Sequence, residues 1–283
     1  MLTQVKAGGF TLRGVSLGGI YTSIHVPELD ALFDAGIPLR LAAACRTLFL
    51  SHGHVDHAGA LSALLGVRAL FGQVKPMVVH LPAEIAQPMS EALRAMSAMQ
   101  RYELAVEMVP MAPGDEVALR GDLSVRAVRT YHPVPSLAYV IVRQVSKLRP
   151  ELVGLRGEEI AARRRDGEVV SESKERLELA YATDTLAVVL DREEMLRKAR
   201  VLVVECTFLD ERKSLADARA GCHVHLDEII ERADMFENEA IVLMHFSQLY
   251  RPDEVREILK RRLPAGLKER VVPFVPAAGR EWP

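Results

Sequence analysis

His52, His54, Asp56 and His57 fall within six consecutive residues, His52-Gly53-His54-Val55-Asp56-His57. Neutral imidazole nitrogens and carboxylate oxygens are good zinc ligands, and a loop can aim alternate side chains at two adjacent ions. The plain alternative is a polar turn that happens to be rich in histidine. Four ligand-type residues at this spacing argue against it and for metal-assisted hydrolysis.

The elements around the cluster say how it is held. Thr47-Leu48-Phe49-Leu50 is a compact buried-strand pattern, and the histidines begin directly after it. From Ala58 to Leu70 apolar residues recur at helical spacing, so the cluster lies on a strand-to-helix loop. Upstream, Phe10 to Val15, Ile20 to Val26 and Ala31 to Asp34 read as short strands between turn signals. Met77 to Leu81 is the next strand. A helical region follows Pro82, with Leu93, Met96 and Leu104 on one face and Pro88 expected to interrupt it early. Three short strands are expected between Val106 and Arg129, separated by Pro-Gly-Asp and Arg-Gly-Asp turns, and a fourth from Leu137 to Val145. The charged stretch from Lys147 to Glu178 shows no clear period and reads as an inserted arm or loop system. Leu179 to Ala182, Val201 to Glu205 and Ala240 to Met244 are buried strands with polar tips, separated by helices from Asp191, His225 and Pro252. This alternation predicts an α/β layered fold with functional residues at strand ends, and no short internal repeat is visible.

With 283 residues the chain can bury a sizeable core in one domain, spanning 1–283 with the arm at about 147–178. Its net charge of −2 gives no global attraction to nucleic acid, so a polyanionic substrate needs local basic patches and bound metal. Cys45, Cys206 and Cys222 are too far apart for a CxxC metal site. The first residues lack a signal-peptide core, and no apolar run approaches membrane-spanning length. The expectation is a cytoplasmic protein without membrane contact.

The HxHxDH cluster resembles the metal motif of the metallo-β-lactamase superfamily. The resemblance implies a four-layer αββα sandwich with two metal ions at one edge. It also implies three later ligands, for which His132, Asp184 and His245 are the candidates. Taken alone, each is a weak signal, and a lone His beside an apolar strand is more often a structural residue. By the resemblance, one zinc takes His52, His54 and His132, the other takes Asp56, His57 and His245, and Asp184 bridges them. Manganese or iron are the alternative metals.

Further segments, among them Ser16-Leu17-Gly18-Gly19, Phe33-Asp34-Ala35-Gly36, Tyr181-Ala182-Thr183-Asp184-Thr185, Glu205-Cys206-Thr207-Phe208-Leu209-Asp210 and His223-Val224-His225-Leu226-Asp227, are similar to the short-form tRNase Z endonucleases. That similarity spans nearly the whole chain in order. It implies a phosphodiesterase that removes 3′ trailers from precursor tRNA. By the same resemblance Asp56 would orient the attacking water, His223 would be the general acid, and Glu205 would hold its imidazole. The bland readings are an ordinary strand-end carboxylate for Glu205 and a surface residue at a helix start for His223. His225 stands where the family commonly has threonine, and it either binds phosphate or caps the following helix. Arg163, Arg164 and Arg165 either grip the RNA backbone or form a solvated face, diluted by Glu158, Glu159, Asp166 and Glu168. The arm lacks the Gly-Pro-rich sequence of many bacterial relatives. Homodimers are common in the family, and Met89, Met96 and Met99 on one helical stretch are the interface candidates. The competing readings are a hydrolase of the same fold acting on a small phosphodiester or other ester, and a non-catalytic RNA-binding relative.

Overall fold

In the computed structural model, which describes residues 2–283, the chain lays down two seven-stranded sheets in succession. The first runs in chain order through β1 (Thr3–Ala7), β2 (Phe10–Leu17), β3 (Tyr21–Val26), β4 (Ala31–Phe33), β5 (Thr47–Phe49), β6 (Met77–Pro82) and β7 (Val106–Met111). Strands β1 to β4 are antiparallel, and from β4 to β7 each neighbour is parallel. Parallel neighbours need crossovers. Those after β5 and β6 carry α1 (Val55–Ala58), α2 (Leu61–Leu70) and α3 (Ala83–Gln100).

The second sheet repeats the scheme with β8 (Glu116–Arg120), β9 (Leu123–Arg129), β10 (Leu137–Leu148), β11 (Ser171–Ala182), β12 (Val201–Glu205), β13 (Ala240–Met244) and β14 (Val271–Pro273). It is antiparallel as far as β11 and parallel beyond. Between β10 and β11 lies α4 (Gly157–Arg165). The parallel crossovers carry α5 (Val188–Arg192), α6 (Glu194–Lys198), α7 (Leu215–Ala220), α8 (Leu226–Glu231), α9 (Pro252–Arg262) and α10 (Ala265–Lys268).

Strand side chains alternate between two faces, and here both faces are apolar. Phe33, Phe49, Tyr139, Tyr181, Val203 and Val242 fill the space between the sheets. Leu32, Leu48 and Val79 face the other way, onto Leu61, Leu64 and Leu93 of the first helical layer. Leu202, Val204, Ile241 and Leu243 pack on Leu226, Ile229, Val255 and Ile258 of the second. Three interlayer cores define four layers, the expected αββα sandwich. No helix among the described residues is long and apolar enough to cross a membrane.

Three local expectations are corrected. Helix α3 runs through Pro88 instead of stopping there. Pro88 is near the helix start and removes only one interior N–H, while Ala86 and Leu93 are buried on the sheet side. Leu104 lies past the helix end, where Arg101 turns left-handed at φ 59°, and is buried from the loop. The charged stretch 147–178 is also more regular than its sequence suggests. Strands β10 and β11 continue as a paired ladder to Leu148 and Ser171, with α4 beyond. Much of both faces of that ladder is exposed, so no apolar period marks it.

Candidate metal centre

The carboxyl ends of the parallel strands point to one edge of the sandwich, the usual place for ligands in α/β sheets. Asp34 follows β4, His52 and its neighbours follow β5, Asp184 follows β11, Glu205 ends β12 and His245 follows β13. Asp34, Asp184 and His245 all have positive φ (58°, 43° and 60°), a strained conformation for residues with side chains. The motif loop is pinned from behind. Ala35 N donates to His57 O, and Gly36 passes so close that a Cβ there would lie 2.0 Å from Asp56 O.

The structure gathers the seven proposed ligands into two groups that share Asp184: His52, His54, His132 and Asp184, and Asp56, His57, Asp184 and His245. In the first, His52 Nε2 and His132 Nε2 lie 3.0 and 3.2 Å from His54 Nδ1. In the second, His57 Nε2 and His245 Nε2 are 3.3 Å apart. Tetrahedral zinc with Zn–N of ~2.0–2.1 Å separates its ligand nitrogens by about 3.3 Å, so the spacing and the nitrogen–carboxylate donor set both fit such an ion. Asp184 Oδ1 is 3.3 Å from His57 Nε2 and 3.2 Å from His245 Nε2, and its Oδ2 is 3.7 Å from His52 Nε2.

The electrostatics favour a cation here. Burial, reinforced by the neighbouring His57, pushes His52 down to about 2, leaving a neutral imidazole. His132 is lowered too, chiefly by burial. Burial would raise Asp184, but His245, His57 and His52 hold it well below the usual carboxylate range. Burial would likewise lower His57, yet the flanking Asp184 and Asp34 raise it well above its ordinary value. The carboxylates draw positive charge to this point, which is what a metal ion supplies.

Beside these candidate ligands stands the other expected pair. His223 Nδ1 lies 3.1 Å from Glu205 Oε2, and Glu205, His223 and His245 form a third converging group. Glu205 is buried and also accepts from Thr185 N at 2.6 Å, Thr207 Oγ1 at 2.6 Å and Val224 N at 3.2 Å. Burial alone would lower His223, but the Glu205 carboxylate outweighs it and lifts the imidazole to about 9.

The remaining candidates lie elsewhere. Of the two roles open to His225, the structure shows the cap. Its Nδ1 accepts from Asp227 N at 3.2 Å, its Nε2 meets Asp210 O at 3.2 Å, and the ring is buried at the start of α8. No ring nitrogen is left for a phosphate. Arg163, Arg164 and Arg165 end α4 on the arm, outside the ligand groups, and Arg163 pairs with Glu168 at 3.3 Å.

Two groups behind the ligands were not picked out from the sequence. Asp34 Oδ2 sits 2.8 Å from His57 Nδ1 and accepts from Tyr181 OH at 2.7 Å, while its Oδ1 accepts from Ser51 N at 2.7 Å. Ser51 Oγ lies 3.0 Å from both Asp34 Oδ2 and His52 Nδ1. Their signals were an Asp at the tip of an apolar strand, inside the family-like segment Phe33-Asp34-Ala35-Gly36, and a Ser directly before the first histidine.

Comparison with known proteins bears on the family and the fold. The family model described as "Beta-lactamase superfamily domain" matches residues 29–246. The chain is 36% identical to tRNase Z TRZ1 of Arabidopsis thaliana over 265 residues, covering 93% of this chain and 94% of that protein. It is 33% identical to the chloroplastic tRNase Z TRZ2 of the same plant, covering 95% of this chain and 76% of that one. Among solved structures, the short form of human tRNase Z superposes with a TM-score of 0.56 at 17% identity, over 83% of this chain and 92% of that one. The metallo-β-lactamase fold protein YhfI of Bacillus subtilis gives 0.58 at 15%, over 92% and 93%. Those two likenesses bear on the fold, and the plant proteins, matched over 93% and 95% of this chain, decide the family: the chain belongs to the tRNase Z family of the metallo-β-lactamase superfamily.

Proposed function

We propose that this protein is a zinc-dependent endoribonuclease that removes 3′ trailers from precursor tRNA. The observation that carries it is the Glu205–His223 pair, 3.1 Å apart, set beside a ligand cluster fit for two ions. A hydrolase acting on a small ester with a good leaving group needs the metals alone. A ribose 3′ oxygen is a poor leaving group and needs a proton donor.

In this reading His52, His54 and His132 hold one zinc, Asp56, His57 and His245 hold the other, and Asp184 is shared. Zinc supplies Lewis acidity, neutralising phosphoryl charge and bringing the pKa of a water towards ~7. Asp56 and Asp184 orient the attacking water in line with the scissile bond. As the P–O3′ bond breaks, its electron pair goes to the 3′ oxygen. His223, with Nδ1 turned to Glu205, delivers the proton there from Nε2. The products are a tRNA with a 3′ hydroxyl and a trailer with a 5′ phosphate.

We assign the arm at 147–178 of this single domain to tRNA contact, with Arg163, Arg164 and Arg165 meeting backbone phosphates. The working unit is a homodimer in the cytoplasm. Support for the dimer comes from an apolar face between α2 and α3, where Leu70 is 88% exposed beside the partly exposed Met96 and Tyr102. Leu70→Asp should convert the dimer to monomers in sedimentation.

The deciding experiment incubates zinc-loaded protein with a precursor tRNA carrying a 3′ trailer and maps the cut. A chromogenic phosphodiester and a His223→Ala variant are the controls. A cut after the discriminator base, leaving a 3′ hydroxyl and lost in the variant, supports the reading. Hydrolysis of the small diester alone moves the substrate to something smaller.

A further inference from the structure

We propose that Thr207 is a positioning residue that fixes the tautomer of His245 and ties that ligand to the same carboxylate that holds His223. The inference rests on the zinc-site reading above, and a count of protons carries it.

Thr207 Oγ1 lies 2.6 Å from Glu205 Oε2 and 3.1 Å from His245 Nδ1. A hydroxyl has one proton to give, and an ionised carboxylate can only accept. The Thr207 proton therefore goes to Glu205, and towards His245 the hydroxyl oxygen is the acceptor. His245 must carry its proton on Nδ1, which leaves the Nε2 lone pair free. That nitrogen faces His57 Nε2, Asp184 Oδ1 and Asp56 Oδ2 at 3.3, 3.2 and 3.7 Å, the positions of the second ligand group.

The first half of the molecule repeats the device. Asp34 pairs directly with His57 Nδ1 and, through Ser51 Oγ, reaches His52 Nδ1. By the same count Ser51 gives its proton to Asp34 and accepts from His52, whose Nε2 is left for the first group. In each half a wholly buried carboxylate holds one histidine directly and a second through a hydroxyl. The halves differ in what is held. Asp34 serves two metal ligands, whereas Glu205 serves one ligand and the proposed acid, so only Thr207 links ligand geometry to proton delivery.

Thr207 is 4% exposed and His245 fully buried, so water cannot replace the lost hydroxyl. Thr207→Val keeps the shape and removes the proton and lone pairs, and Thr207→Ser restores them. Two readouts need no RNA: the rate of zinc loss to a chelator, and the His245 tautomer from ¹⁵N chemical shifts. The small phosphodiester supplies kcat and KM. Substitutions behind metal ligands typically cost about 10–100-fold in metal affinity or activity. Thr207→Val should lose zinc and kcat on that scale with little change in KM, and with zinc removed its His245 should no longer hold the proton solely on Nδ1, as the zinc-free wild type should. Thr207→Ser should stay near wild type. If Thr207→Val does not fold, the Thr207→Ser and Thr207→Ala pair isolates the hydroxyl, with the Ala variant expected to show the loss. Wild-type zinc retention and kcat in the Val or Ala variant would overturn the proposal, as would a Ser variant as impaired as they are. A wild-type protein that holds no zinc would sink the function reading itself, a distinct outcome.

Discussion

His223 presents Nδ1 to Glu205 Oε2 at 3.1 Å, and the carboxylate behind it is closed off from solvent. That contact lets an imidazole serve as an acid above its ordinary range. Burial works against the charged ring, the Glu205 charge works for it more strongly, and the balance is about 9. Glu205 favours the proton-donating form, so kcat should hold through neutral pH and fall on the alkaline side as the ring loses its proton. Glu205→Gln removes the charge and leaves the burial. Its alkaline limb should move down towards 6.5 or below, read from a pH–kcat profile. An unmoved limb would assign it to another group. His223→Ala should lower kcat by about 10²–10⁴-fold.

Asp34 receives only donors: Ser51 N, Ser51 Oγ, His57 Nδ1 and Tyr181 OH. In Asp34→Asn, whichever oxygen becomes an NH₂ faces a donor. Breaking a buried charge network of this kind costs about 3–5 kcal/mol. Tyr181→Phe removes one hydrogen bond to a charged group and should cost about 1.5–3 kcal/mol. Urea unfolding at constant zinc measures both, and equal costs would mean that Asp34 is not the hub.

Zinc removal should lower the melting temperature, because zinc at a hundred times its Kd adds ~2.7 kcal/mol by mass action. In the stripped protein the pH dependence has a definite sign. His57 and His223 have raised folded values, so their contribution is full below the ordinary 6.5 and is lost as pH rises through the raised ones. The depressed Asp56 and Asp184 and the lowered His52 and His132 no longer titrate above about pH 7. Stripped protein should therefore lose stability from there to about 9. Zinc-loaded protein should change less, since the ion replaces the His57 proton. Parallel melting curves at several pH values would show whether the two forms diverge.

Replacing Arg163, Arg164 and Arg165 together by Ala should raise KM for precursor tRNA and leave hydrolysis of the small diester unchanged. Each lost phosphate contact should flatten the slope of log affinity against log salt by about 0.7–0.9. A salt slope equal to wild type would return these arginines to a solvated face.

The arm shows where sequence reading stops. Its strands pair from Leu148 and Ser171 inwards, yet exposed residues on both faces leave no periodicity to read. Pro88 shows the opposite failure, a local rule overridden by the packing of α3. The buried strands were legible because alternation and apolar runs are local consequences of the two-residue period. The near-identity of the two sheet orders was not. It lies in which strands pair, and no short sequence period records that.

The same division runs through the site. Sequence alone determined the chemistry on offer, since ligand type and the spacing of His52, His54, Asp56 and His57 are local facts about one short segment, the loop after β5 and the first turn of α1. Only the tertiary structure decided which groups stand behind them. Asp34 meets Tyr181 across 147 residues, and Ser16 Oγ accepts from His245 N across 229. Asp, Ser and Thr are common at strand ends as turn formers. Composition cannot separate a turn from a proton-holding contact, and the meeting of the two sheets at one edge makes these residues the latter.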